Sequence, residues 1–213
     1  MIYNIDLVRT LSQAIKQQVM LNKDWDLAYY LGAYEAEMAT NNASRIVDFE
    51  ILKDMNNTIS PNSVVNIFQS IVPFISSVSR QIRQNYRADP QYLLAGMKTA
   101  SVLESLQQYY VKFGDNMNGE TGSVGSTAGG FRNQTVLCSD ALPENKIYVV
   151  YKAPSDDLAR STIVDLIYKP LYIIEEITNS VKRTFVKSRT ALEFVRSESM
   201  GVVEIRNYDQ FLG

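Results

Sequence analysis

Three pairs of neighbouring carboxylates are the residues whose types best suit acid–base or metal chemistry: Glu35 and Glu37, Asp156 and Asp157, and Glu175 and Glu176. Paired carboxylates hydrolyse glycosides or bind cations only when both side chains reach the same point in space. Adjacent residues of a strand point to opposite faces, and residues two apart on a helix diverge by roughly half a turn. None of the pairs is therefore predicted to converge, and solvated surface charge is the favoured interpretation.

Histidine is absent from all 213 residues. Its absence excludes Ser-His-Asp and Cys-His catalysis, histidine-ligated zinc and iron, and the usual general base at neutral pH. The single cysteine, Cys138, lies in an apolar strand-like run, so a small buried side chain is favoured over a reactive thiol. We expect a reducing compartment, no cofactor, no metal and no enzyme; any activity would fall to Asp156 and Asp157.

Two other patterns suggest anion binding. Arg80, Arg83 and Arg87 cluster at the end of a predicted helix, where the macrodipole favours cations, so a solvated helix end is preferred to an anion site. Six of the ten glycines lie in 114–130, which predicts a long flexible loop. No Gly-Lys-Ser/Thr follows, and the loop precedes a strand instead of a helix, which excludes a phosphate-binding loop.

Length and composition limit the organisation of the chain. With 213 residues and 46% apolar content, it is long enough for one domain, or for one domain with two lobes. Its 21 basic and 23 acidic residues are nearly balanced, which disfavours nonspecific nucleic-acid binding. The first residues lack a signal-peptide pattern, and no window approaches the ~20 apolar residues of a membrane span. We expect a soluble intracellular protein without a membrane partner.

The first half of the chain has helical periodicity. Apolar spacings of three and four predict a helix over 6–20, and then one long helix, or two nearly collinear ones, over about 24–55. Ser60-Pro61 begins a further helix that should run to about Tyr86 with a kink at Pro73. A short strand over 92–95 and a helix over 97–110 follow.

The second half has the patterns of strands. The candidates are 131–138, 146–152, 163–174, 183–195 and 202–205. Pro143 and Asn145 suit a turn that would return the chain after the first of them, so that the first two form a strand pair. Helices followed by strands predict an α+β fold with antiparallel or mixed pairing, which differs from a doubly wound nucleotide-binding fold.

The order of these parts resembles the major capsid protein of tailed bacteriophages, most closely the branch of the large myoviruses, whose shell fold is shared with herpesvirus capsid floors and encapsulins. Ala28 to Asn56 is similar to the long spine helix of that family. The other similar segments are Asp89 to Gly96 with Val102 to Leu106, Gly129 to Asp140 with Pro143 to Ser155, and Arg183 to Ile205. Together they cover about 28–206.

The resemblance implies an architecture of two lobes. Residues 1–56 would form an N-terminal helix and the spine helix of a peripheral lobe, and 57–175 an axial lobe with the glycine-rich loop 114–130 at its tip. Residues 176–213 would return as strands to the peripheral lobe. In the family this loop lines the centre of each capsomer, which implies that role for Lys112, Gly114, Gly119, Gly122, Gly125, Gly129 and Gly130.

The resemblance also implies a structural function. The chain would self-assemble into hexamers and pentamers of an icosahedral or prolate capsid that encloses phage DNA without reading its sequence. Its partners would be copies of itself, with scaffold, portal and decoration proteins as further candidates. Its place would be the virion, after assembly in the host cytoplasm. Thirteen tyrosines suit such interfaces.

Two alternatives stay open at this point: an encapsulin-like shell that encloses enzymes, and a stand-alone phage α+β interaction module. The sequence departs from the family pattern at Val150 and Ala153, where that branch usually has glycine. The family also has an N-terminal arm and an extended hairpin ahead of the spine helix, whereas only about 25 residues precede it here. Because those parts interlock neighbours, we expect the chain as given to form closed shells poorly.

Overall fold

Helices and a mixed sheet make up the protein, and the α+β prediction is confirmed. The computed structural model describes residues 3–48, 71–105, 110–112, 129–131, 134–154, 160, 162–178, 181–194 and 196–207.

The helices of the described residues are α1 (Tyr3–Ala33), α2 (Glu35–Thr40), α3 (Val72–Tyr86) and α4 (Met97–Ser105). The strands are β1 (Ser44–Asp48), β2 (Tyr92–Ala95), β3 (Tyr110–Lys112), β4 (Gly129–Phe131), β5 (Gln134–Cys138), β6 (Lys146–Val150), β7 (Ile163–Thr178), β8 (Val181–Phe194) and β9 (Met200–Arg206). The 3₁₀ turn Ser197–Ser199 leads into β9.

Seven strands form one sheet in the order β1-β9-β6-β2-β5-β4-β3. The pairs β1 with β9 and β2 with β5 are parallel, and the other four pairs are antiparallel. The predicted strands over 131–138 and 146–152 are not neighbours, because β2 lies between β5 and β6. The predicted strand pair is therefore wrong. Local turn signals could not show that β2, about forty residues earlier, enters between them.

Both faces of the sheet centre are buried, and the alternation of side chains divides the core in two. One face packs Leu93, Ile147, Val149 and Val203 against α3 and α4. The opposite face has its own buried cluster with α1 and α2: Leu31, Met38, Leu94, Leu142, Tyr148, Val150, Met200 and Val202. A strand buried on both sides appears in the sequence as a continuous apolar run, as in β6.

Helix α3 presents a narrow apolar stripe to the sheet. Val72, Ile75, Val78 and Ile82 are buried at helical spacing. Pro73 lies in the first turn of α3, where a missing N–H costs no intrahelical hydrogen bond. The described helix begins beside Pro73, and residues 61–70 of the predicted helix lie outside the described residues, so the kink stays a prediction.

The predicted spine helix over 24–55 is correct only in its first part. Helix α1 continues without a break through Asn22 and Lys23, and α2 ends at Thr40. Asn42 adopts a left-handed backbone with φ 56, and β1 follows from Ser44 to Asp48. The Ile-Val run of β1 pairs with β9, so tertiary pairing overrides a pattern that local spacing could not distinguish from a helix. Residues 49–56 lie outside the described part.

The other described helices and strands have bounds closer to the predicted ones. The helix predicted over 97–110 is described to Ser105, and Tyr110 already belongs to β3. The strand predicted over 131–138 is two strands, with Phe131 of β4 paired to Gln134 of β5. Strand β2 matches its predicted range, and β6 and β9 differ from theirs by one or two residues at an end.

Strands β7 and β8 form a separate two-stranded antiparallel ribbon of 16 and 14 residues. The ladder shifts its register on either side of Lys169, beside Pro170, which lacks a donor for a ladder hydrogen bond. The predicted lobe boundary at 175 falls within β7, and the sheet combines strands from all three predicted segments. The division into lobes stays a prediction.

Candidate assembly surfaces

The ribbon has two long edges without partners in the described part of the chain. Its strands pair with each other and with no strand of the seven-stranded sheet. An isolated two-stranded ribbon is marginally stable in water, and its unpaired N–H and C=O groups are a template for further strand pairing. At ~3.3 Å per residue, β7 extends for about 50 Å, well beyond the short strands of the sheet.

A second exposed surface lies on α1. Trp25 is 61% and Tyr29 is 74% exposed, one helical turn apart. A Cβ added at Gly32 would have no atom within 4 Å, so the same side of the helix end is open. Large aromatic side chains contribute much of the binding energy of protein interfaces. We name this surface, made of Trp25, Tyr29 and Gly32, the aromatic stripe.

Among its described side chains, helix α1 packs on the sheet near its C-terminal end. Of the side chains described from Gln13 to Asp26, none is buried. Ser139 Oγ donates to Asp24 Oδ2 at 3.0 Å, and Leu27 and Leu31 pack on the sheet. Strand β8 of the ribbon also contacts α1. The aromatic stripe and the ribbon therefore belong to neighbouring elements.

A partly buried polar cluster fixes α2 on the sheet. Lys146 Nζ donates to both Glu35 oxygens at 2.8 and 2.6 Å, and Tyr148 Oη donates to Glu35 Oε1 at 2.6 Å. Burial, followed by the hydrogen bond to Glu35 and the charges of Glu35 and Glu204, raises the pKa of Tyr148 far above its ordinary value. The phenol therefore stays neutral and donates its hydrogen. Glu35 is an anchor, not the solvated charge that was predicted.

Glu144 caps a helix of the sheet region, a role that the sequence analysis did not predict. Its oxygens accept from the backbone N–H of Lys98 at 3.1 Å and of Thr99 at 3.0 Å, at the first turn of α4. The Glu144 carboxylate thereby pairs with two of the free N–H donors at the N-terminus of α4, where a negative charge is favourable. A Cβ at Gly96 would lie 2.6 Å from Glu144 Cδ. A larger residue at position 96 would therefore displace the Glu144 carboxylate from the start of α4.

The other predicted residues have separate positions. Glu37 is exposed on α2, and Asp156 and Asp157 lie outside the described residues. Glu175 and Glu176 pair across the ribbon ladder with Thr184 and Arg183. Cys138 is buried as predicted, at 3% exposure.

The predicted capsomer-centre loop begins and ends in one hairpin at the sheet edge. Lys112 pairs with Gly129, and Val111 pairs with Gly130, in the β3–β4 ladder. Gly114, Gly119, Gly122 and Gly125 lie outside the described residues. The described strands therefore place the two ends of the loop side by side at the β3 edge of the sheet, and the role of the loop stays a prediction.

Within the described residues, no group of three or more acidic and cysteine side chains is arranged to hold a metal ion. Over the same ranges, no helix has both the length and the apolar character needed to cross a bilayer.

Comparison with known proteins gives no match to a family model. Curated protein sequences also contain no significant relative.

Three solved structures share part of the arrangement. A virus-like particle from Pyrococcus furiosus aligns with 79% of this chain at 11% identity and a TM-score of 0.44. A phage-related protein from Bordetella bronchiseptica aligns with 62% at 10% identity and 0.39, and the SrpI encapsulin from Synechococcus elongatus with 72% at 14% and 0.38. The alignments span 59%, 48% and 69% of those chains, respectively. Because all three TM-scores are low, function is inferred from the contacts of this chain.

Proposed function

We propose that the chain is a structural subunit that self-assembles into a protein shell and is not an enzyme. The observation that carries this proposal is the β7–β8 ribbon, whose strands of 16 and 14 residues pair only with each other among the described residues. Strand β7 is rich in Ile, Val, Leu and Tyr, whereas β8 has Val, Phe and Leu among charged and polar residues. A neighbouring copy would supply the strand partners that the two ribbon edges lack among the described residues.

The aromatic stripe supports the same proposal. Trp25 and Tyr29 leave large apolar surfaces in water on the helix that β8 contacts. Exposed apolar patches of this type mark interaction sites more often than isolated exposed residues do. A copy that docks on the ribbon would therefore also cover the stripe.

The finer proposal is a capsid subunit of a tailed bacteriophage that encloses DNA. It is supported by the resemblance of the ordered segments and by the β3–β4 hairpin that holds the predicted loop. The loop 114–130 would then line the capsomer centre, with scaffold, portal or decoration proteins as further partners. An encapsulin-like shell is the second candidate, because it would need the same self-association surfaces.

Sedimentation velocity of the purified chain at increasing concentration tests self-association. We expect species of five or six subunits at high concentration, and a Trp25→Ser/Tyr29→Ser variant that remains smaller. Met97→Ser is the matched control, because Met97 is also exposed, at 36%, but lies at the start of α4. A strictly monomeric protein at high concentration and moderate salt would refute the proposal.

Electron microscopy of particles produced in cells separates the two shell types. A nucleic-acid interior supports the phage capsid, and a protein-filled interior supports the encapsulin-like compartment. Genes for a portal, a large terminase and a prohead protease beside this gene would support the phage capsid independently.

A further inference from the structure

A polar groove lies between α3 and the entry to strands β2 and β5. It has a volume of about 410 Å³, within the usual ~300–1,000 Å³ range of ligand sites. One wall is a face of α3, and the other is formed where the chain enters the two strands. The lining residues used below are Ser79, Arg80, Arg83, Asp89, Gln91 and Gln134.

Gln134 gives the groove a fixed floor. This side chain is only 8% exposed, and its Nε2 donates to Ser79 Oγ and to the carbonyl oxygen of Pro90, each at 3.2 Å. Because Ser79 Oγ accepts this bond, its own hydrogen can be donated to a ligand. The backbone of Gln91 is also fixed, since its N–H donates to Val150 O and its carbonyl accepts from Thr135 N.

The charged groups of the groove are two guanidinium groups and one carboxylate. Arg83 Nε pairs with Asp89, and both side chains are about two-thirds exposed. Arg80, one helical turn before Gln84 on α3, has an exposed side chain. Among the described residues, none forms an ion pair or hydrogen bond with its guanidinium group. Arg80 and Arg83 lie three residues apart on α3, so both reach the same groove. The groove therefore has an excess of donors and of positive charge.

We propose that this groove binds a carboxylate side chain of an acidic peptide segment in a partner protein. Arginine guanidinium groups bind carboxylates through paired N–H donors. The Ser79 hydroxyl and the side-chain amide of Gln91 would supply neutral donors beside the charge. The site goes beyond the proposed shell function and does not depend on it, because every group comes from one copy of the chain.

A peptide fits this groove better than a nucleic acid does. Nucleic-acid sites extend as basic stripes along several phosphates, whereas this chain has a net charge of −2. Asp89 at the rim would repel a continuous phosphate backbone, but a single carboxylate can approach from the Arg80 side. A short acidic segment therefore satisfies the donors without requiring a wider basic surface.

Calorimetric titration of the full chain with blocked tetra-glutamate tests the proposal. Blocked tetra-glutamine, inorganic phosphate and a ten-nucleotide single-stranded DNA serve as comparison probes. We expect tetra-glutamate to bind and tetra-glutamine to show no binding. Arg80→Gln should weaken tetra-glutamate binding by about tenfold, as expected for the loss of one charge-assisted hydrogen bond. Arg87→Gln is the matched control, since it removes the same charge from the end of the same helix outside the groove lining.

Asp89→Asn is a variant that should gain binding. It removes the internal competitor of Arg83, so we expect tetra-glutamate to bind roughly threefold more tightly. A gain cannot result from partial unfolding, which makes this variant independent of Arg80→Gln. The proposal is overturned by equal binding of the two peptides, by equal losses in Arg80→Gln and Arg87→Gln, or by DNA or phosphate that binds more tightly than tetra-glutamate.

Discussion

The seven-stranded sheet and the β7–β8 ribbon satisfy their backbone and apolar groups in different ways. The sheet is covered by helices on both faces, and its central side chains, such as Ile147, Tyr148 and Val203, are at most 1% exposed. The ribbon pairs only with itself in the described part of the chain. The sheet therefore obtains its stability within one copy, whereas the ribbon has edges that a second copy could use.

The two regions should consequently respond differently to mutation. A change inside the sheet region should lower the free energy of unfolding of the single chain. A change in the ribbon should lower self-association and leave that free energy almost unchanged. The predictions below use the free energy of unfolding, measured by urea titration, to test this separation.

Gly201→Ala should have the largest effect. A Cβ at this position would lie 2.4 Å from the carbonyl oxygen of Ala43 and 2.5 Å from Val78 Cγ1, so β9 would have to move away from both. We expect a loss of about 3 kcal/mol. Gly32→Ala is the control, since nothing lies within 4 Å and alanine favours a helix; it should gain about 0.5 kcal/mol. Equal stability of Gly201→Ala and the wild type would contradict the close packing of β9.

Glu35→Gln should rank second. The change removes the charge that Lys146 pairs with and weakens the acceptor of Tyr148, in a site where both ionic side chains are less than a quarter exposed. We expect a loss of about 2 kcal/mol, because Lys146 is left partly buried without its counter-charge. Glu37→Gln on the same helix is exposed and should change stability by less than about 0.5 kcal/mol. If the two variants were alike, the cluster would not anchor α2.

Tyr148→Phe should have a smaller effect and a pH signature. Loss of its hydrogen bond to Glu35 should cost about 1 kcal/mol near pH 7. The native state holds the phenolic proton more tightly than the unfolded state does, because the pKa of Tyr148 is raised above 10.0. Its contribution is therefore complete below about pH 10 and decreases as the pH rises further. The phenylalanine variant should lose less stability than the wild type above that pH, and parallel curves would show that Tyr148 does not cause the dependence.

Val186→Pro should have the smallest effect on unfolding of the single chain. Val186 pairs with Ile173 in the ribbon, and proline removes its backbone N–H and restricts the backbone of β8. We expect a change of less than about 0.5 kcal/mol for the sheet region together with a loss of self-association in sedimentation velocity. Val149→Pro, in the central strand β6, is the control and should instead destabilise the sheet region strongly. A large loss of sheet stability in Val186→Pro would contradict the prediction that the ribbon and the sheet region are energetically independent.

Local patterns predicted many of the elements correctly. The buried stripe of α3, strand β2 and the long apolar run of β6 followed from residue type and spacing alone. The failures occurred where a distant segment decided the result. Residues 44–48 have a pattern compatible with a helix, but β9 recruits them as an edge strand by parallel pairing.

The candidate surfaces were less predictable than the fold. The residue patterns of 163–174 and 183–195 predicted two strands, but they contain no sign that these strands would avoid the seven-stranded sheet. The spacing of Leu27 and Leu31 predicted the buried side of α1, and Trp25 and Tyr29 lie on the opposite, exposed side, a surface that the sequence analysis did not single out. The arginines were interpreted as a solvated helix end, and Gln134, the floor of the groove, had no sequence signal.

The amino-acid sequence by itself determined the α+β class, the helical first half, the strand-rich second half and the absence of histidine chemistry. These properties depend on composition and on contacts between residues close in the chain. Only the tertiary structure decided the strand order, the insertion of β2 between β5 and β6, the Glu144 cap on α4 and the separate ribbon. The strand order, the insertion of β2 and the Glu144 cap depend on contacts between segments far apart in sequence, whose free energy local spacing does not contain. The ribbon is separate because β7 and β8 pair only with each other among the described strands.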